Sequence, residues 1–206
     1  MATNRSYGAL AAATIVVGGV AIALSTLTSG SAAPATTTQA NFGVGLSAGV
    51  RPAQPEDSVP KEVLALPAAS QFDKALIGQA RQVATQNGRG YWLIPGQSGQ
   101  LCLIAASGEG DTFESAGTCA PRTQLAKGGI WFSEVDGNGD NQVAILAPDT
   151  INQFRTANGR ATTVNENFAI VTVPKGTANQ WLYVVSSTGD SGSLELGPLS
   201  PPAPNS

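Results

Sequence analysis

Apolar and polar positions alternate in three textures along this chain. The first is an unbroken apolar run over residues 9–27, ALAAATIVVGGVAIALSTL, nineteen residues without a charge. A helix of that length measures about 28 Å, enough to cross the hydrocarbon core of a bilayer. Arg5 precedes the run and no basic residue follows until Arg51. That asymmetry predicts a short cytoplasmic N-terminus over residues 1–8, with everything after residue 27 exported. Two versions of the segment stand open. It is longer than the usual core of a signal peptide, which favours a retained transmembrane anchor. Gly30-Ser31-Ala32 supplies the small residues of a cleavage site, which favours a signal peptide.

The second texture, residues 28–60, is Ala, Thr, Ser, Gly, Pro and Gln with few large apolar side chains. Such a stretch buries too little to offset the entropy of ordering, so it reads as a disordered linker. The third texture, residues 61–198, carries the pattern of a folded extracytoplasmic domain, and residues 199–206 form a disordered tail. Phe72, Leu76, Ala80, Val83 and Ala84 recur at three- and four-residue spacing. With Ser70 and Asp73 at its start and Asn87-Gly88 at its end, this predicts a helix over residues 71–86. Short β-type runs follow at 91–94, 101–105, 130–135, 142–146, 151–156, 162–164, 168–173, 181–186 and 193–196, separated by Gly, Pro, Asn and Asp. Short turns between several of them, Asn158-Gly159 among them, favour antiparallel pairing. The expected fold is mainly β: a small antiparallel β-sandwich or barrel with one packed N-terminal helix.

Charge changes this picture only by exclusion. Charged residues make up 12% of the chain, and from Lys61 onward nine basic and twelve acidic residues leave a net charge of −3. Phosphate binding needs a basic patch, so nucleic acid is not an expected partner. The chain has no histidine, which removes Ser-His-Asp and Cys-His catalysis and histidine-based zinc and iron sites. Cys102 and Cys119 are its two cysteines, and in an exported domain such a pair reads as a disulfide.

Five groups of residues invite a chemical reading. Gly189-Asp190-Ser191-Gly192 matches the nucleophile motif of trypsin-like proteases, but without histidine it reads as a turn between two strands. Asp136, Asn138 and Asp140 place oxygen ligands at alternate positions, as calcium loops do, although Asn141 and Ala147 stand where an EF-hand needs Gly and Glu. Calcium is the one cofactor the sequence suggests, against a plain glycine-rich hairpin turn. Glu109, Asp111 and Glu114 lie between the cysteines and read as a solvated loop. Trp92, Trp131 and Trp181, with Tyr91 and Tyr183, are candidates for a sugar-stacking groove, against a place in the core. Asp136, Asp149, Glu166 and Glu195 are the carboxylates from which a glycosidase pair would be drawn.

Leu93 to about Ser186 resembles a family of uncharacterised exported or membrane-anchored domains common in actinobacteria. The residues that carry the resemblance are Pro95-Gly96, Leu101-Cys102-Leu103, Cys119-Ala120-Pro121 and Gly128-Gly129. Further on come Leu146-Ala147-Pro148-Asp149, Asn158-Gly159 and Asn165-Glu166-Asn167-Phe168. Thr150 stands where that family often has Gly. The resemblance implies export and the disulfide, and it carries no known activity. The expectation is a non-catalytic binding or structural module, membrane-anchored by a single N-terminal helix or secreted, whose partner is a cell-envelope component or surface protein. It meets the membrane through its N-terminal segment only. The alternative is a carboxylate-dependent hydrolase acting on cell-envelope glycan.

Overall fold

The computed structural model describes residues 45–175 and 181–196. The apolar run at residues 9–27, the linker up to residue 44 and the tail at 199–206 lie outside these residues. Among the described residues no helix is long and apolar enough to cross a membrane.

The domain is mainly β, built from three antiparallel sheets with few, short helices. The first sheet is a meander of β1 (Arg81–Gln86), β2 (Arg89–Pro95), β3 (Gln100–Ser107) and β4 (Glu114–Pro121). The middle sheet orders β5 (Ile130–Val135), β6 (Asn141–Leu146) and β9 (Phe168–Val173). The outer sheet orders β11 (Ser191–Glu195), β10 (Trp181–Ser186), β7 (Ile151–Thr156) and β8 (Ala161–Thr163).

Side-chain alternation explains how the sheets stack. In β6, Ala144 and Leu146 pack with Tyr91, Leu93, Leu101 and Leu103 of the first sheet. Val143 and Ile145, on the opposite face, pack with Phe154, Leu182, Val184 and Leu194 of the outer sheet. The middle sheet is therefore covered on both sides, which is why QVAIL in β6 and FAIVTV in β9 are nearly continuous apolar runs. The first sheet is also covered twice. Its far face carries Trp92, Ile94, Cys102, Ile104 and Ala106, packed under Val63, Phe72 and Ala80 from the irregular segment before β1.

That segment corrects two expectations. Residues 71–86 do not form a helix. They contain a short 3-10 turn at Ile77–Gln79 and then β1. The apolar stripe is real but is divided between layers: Phe72 and Ala80 cover the far face of the first sheet, and Val83 and Ala84 join the core on its near face. Asp73 Oδ1 accepts the Ala75 N–H in a local turn and caps no helix. Asn87 (φ 53°) and Gly88 (φ 76°) form the two-residue loop of the β1–β2 hairpin, where both central residues need positive φ.

The second correction concerns residues 45–60, which were expected in the linker. They pack against the domain as α1 (Ser47–Val50) and a 3-10 turn at Pro55–Asp57. Ala48 is buried in the core between the first and middle sheets. Two further short helices, α2 (Lys61–Leu64) and α3 (Arg122–Leu125), each bury one side chain, Val63 and Leu125.

β4 was not expected, because ESAGTCAP is poor in β-formers. Its pairing with β3 supplies the strand, with Cys102 directly opposite Cys119. The two are joined by the disulfide, with Cα atoms 4.0 Å apart.

Candidate functional site

Among the described residues, the cover over the far face of the first sheet and the burial of both faces of the middle sheet leave one broad sheet face open, the outer side of β11-β10-β7-β8. Along β10 the inward positions Leu182 and Val184 are fully buried, and the outward positions are Trp181, Tyr183 and Val185. Tyr183 is 53% exposed, and Trp181 and Val185 are half-buried. The register fixes their neighbours. Tyr183 lies opposite Arg155 on β7 and Ser193 on β11, Val185 opposite Gln153 and Ser191, and Trp181 opposite Glu195. On β8, Ala161 pairs with Arg155 and Thr163 with Gln153. An aromatic column therefore stands between flanking strands whose outward residues are short or hydrophilic. Arg155 Nε donates to Gln153 Oε1 at 2.6 Å, which lays the guanidinium along the face.

The five aromatic candidates separate in two. Tyr91 and Trp92 are buried on opposite faces of β2, the Tyr91 ring centred 4.7 Å from that of Phe168 and tilted 42° to it. Trp131 packs against the core between the middle and outer sheets. Trp181 and Tyr183 alone share the open face.

Asp136, Asn138 and Asp140 lie in the β5–β6 turn. Asp136 Oδ1 accepts the N–H groups of Asn138 and Asp140 at 2.9 and 3.0 Å, and Oδ2 accepts Gln142 Nε2 at 2.9 Å. Asp140 Oδ1 accepts the Lys175 N–H. The Gln142 side-chain bond, with the turn N–H groups, holds the Asp136 carboxyl below its ordinary range. These bonds engage both oxygens of Asp136 in closing the turn. Among the described residues no three His, Cys, Asp or Glu side chains are grouped to hold a metal.

Among the described residues the four carboxylates share no hydrogen-bonding partner. Asp149 Oδ1 accepts the Ser47 N–H at 2.9 Å and Asn167 Nδ2 at 2.7 Å. Partial burial raises its pKa, but these donors outweigh that and hold it below the usual carboxylate range. Glu166 is in the turn before β9 and Glu195 on the open face of β11, both exposed. Neither depressed carboxyl suits the general acid that glycoside hydrolysis requires. Glu109, Asp111 and Glu114 are exposed. Gly189 and Asp190 close the β10–β11 hairpin, and Ser191 begins β11 opposite Val185.

Two polar centres escaped the sequence. The Asn167 amide uses all its groups: Oδ1 accepts Ala48 N–H (2.8 Å) and Ser47 Oγ–H (3.0 Å), and Nδ2 donates to Ala147 O and Asp149 Oδ1. The buried Asp57 accepts both Nη groups of Arg51 and the N–H groups of Gln54 and Gln82. Each also ties residues 47–57 to a strand or turn far along the chain, Asn167 to Ala48 and Asp57 to Gln82, and such links leave no local signal.

Comparison with known proteins finds no matching family model, no matching curated protein and no matching solved structure.

Proposed function

We propose that this chain is an extracytoplasmic, envelope-associated module that binds and does not catalyse. Support for the location comes from the charge-flanked apolar run at residues 9–27 and from the Cys102–Cys119 bridge, which suits an oxidising compartment. The observation that carries the binding role is the open face of the outer sheet, where Trp181 and Tyr183 stand in a column although the three layers behind them offer apolar burial. The candidate carboxylates Asp136 and Asp149 hold a turn and the N-terminal segment in place, a structural use of both.

The test is fractionation of native cells followed by intact mass and envelope cosedimentation. Protein in the membrane or the medium, gaining two hydrogens on reduction and sedimenting with washed envelope fragments, is the expected result. Full-length protein in the cytoplasm with free thiols, or none on envelope fragments, would overturn the proposal.

A further inference from the structure

We propose that the open face of β10 binds an acidic polysaccharide, with sugar rings stacked on Trp181 and Tyr183 and a sugar carboxylate held by Arg155. This rests on the binding-module reading above and names its ligand class.

Three features of the face favour this partner. Trp181 and Tyr183 are successive outward residues of one strand, about 7 Å apart along it, so the two side chains stand in line on one face. Tyr183 has the short Ser193 beside it on β11, Trp181 has Glu195, and beyond β7 the outward residues of β8, Ala161 and Thr163, are also short. Aromatic faces attract the C–H faces of sugars, and Gln153, Ser191, Ser193 and Thr163 offer hydrogen bonds to hydroxyls.

Arg155 adds the charge. It is the cation of this face, beside Tyr183 in the register, and its Nε is occupied by Gln153. Among the described residues its two Nη groups have no partner, so a planar, bidentate donor is presented next to the aromatic platform. An acidic sugar supplies the matching carboxylate. A lipid surface fits less well, since the face has one arginine, several hydroxyls and Glu195 beside Trp181.

The experiment uses the full chain in mild detergent, run on native gels containing polygalacturonate or a neutral glucan of similar length, with tryptophan fluorescence as the second readout. We expect retardation by polygalacturonate that weakens with salt. Tyr183→Ala and Arg155→Gln should each reduce affinity about 10-fold, while Arg155→Lys retains part of it. Glu195→Gln should bind more tightly, an effect a structural role would not produce. Unchanged urea midpoints establish that the exposed-site variants are folded. No retardation, equal retardation of all variants, stronger binding to the neutral glucan, or binding only to anionic phospholipid vesicles would each overturn the proposal. Wild type and variants sedimenting equally with envelope fragments sinks this face and leaves the module reading intact. Absence of wild type from those fragments sinks the module reading itself.

Discussion

Glu166 and Asn167 form a two-residue loop in which both carry positive φ, 46° and 66°, between the mutually bonded Asn165 and Phe168. Asn tolerates this region because its short amide bonds locally, while Glu gains nothing there and is strained by about 1 kcal/mol. We expect Glu166→Asn to raise stability by roughly 0.5–1 kcal/mol, read as a higher urea midpoint. A lower midpoint would mean that the attraction of Glu166 for Arg51 outweighs the strain. Asp57, like Asp149, contributes to the acid limit. Burial raises its pKa, but the Arg51 bonds and the N–H groups of Gln54 and Gln82 outweigh that, so the folded value lies below the unfolded one. Stability from this group is therefore complete above the unfolded carboxylate range and is lost as pH falls through the folded value. Asp57→Asn should cost about 3 kcal/mol near pH 7, because it strands Arg51 beside the buried Arg81. The gap to wild type should narrow in urea titrations below pH 4, and a pH-independent gap would show that the carboxylate charge is not responsible.

At the scale of elements, the nine predicted β runs all fall on strands, since alternation and turn residues agree there. Asn158-Gly159 turns β7 into β8 as a hairpin signal should, with Gly159 at φ 84°. The two missed strands show where local pattern fails. β1 has a register shift between Gln82 and Ala84, so its period is broken where a strand would have declared itself, and its residues mimic a helical stripe. β4 is made a strand by the partner beside it and by the covalent link, neither of which is local. Replacing both Cys102 and Cys119 by Ala should lower stability by about 3 kcal/mol for a 17-residue separation. Urea unfolding of the double variant against the oxidised protein measures this. A loss below ~1 kcal/mol would mean that β3–β4 pairing persists in the unfolded chain.

For the molecule as a whole, a mainly β class was legible because apolar runs and turns alternate, but the stacking of three sheets was not. Layering depends on which face of each strand meets which partner, and QVAIL would be equally apolar in several arrangements. The open face was half legible: Trp181 and Tyr183 were named among five aromatics, and only burial separates them from Tyr91 and Trp92. Residues 45–60 were misread as linker because they gain their order from contacts far along the chain. They reach the domain at two places, the Asp149–Asn167 pair that holds Ser47 and Ala48, and the Asp57–Arg51 pair that binds Gln82. Gln82 belongs to β1, an edge strand, and its N–H and C=O are taken by Asp57 and Arg51. The segment therefore shields part of an edge open to pairing with other chains. A chain beginning at Ser58 should be less stable than one beginning at Gly45 by on the order of 3 kcal/mol, and should self-associate more as concentration rises. Urea midpoints and sedimentation velocity of the two chains give both readings together. Equal midpoints would show that residues 45–57 lie on the domain without stabilising it. A destabilised but monomeric chain would assign the segment to the core alone and remove its role at the edge.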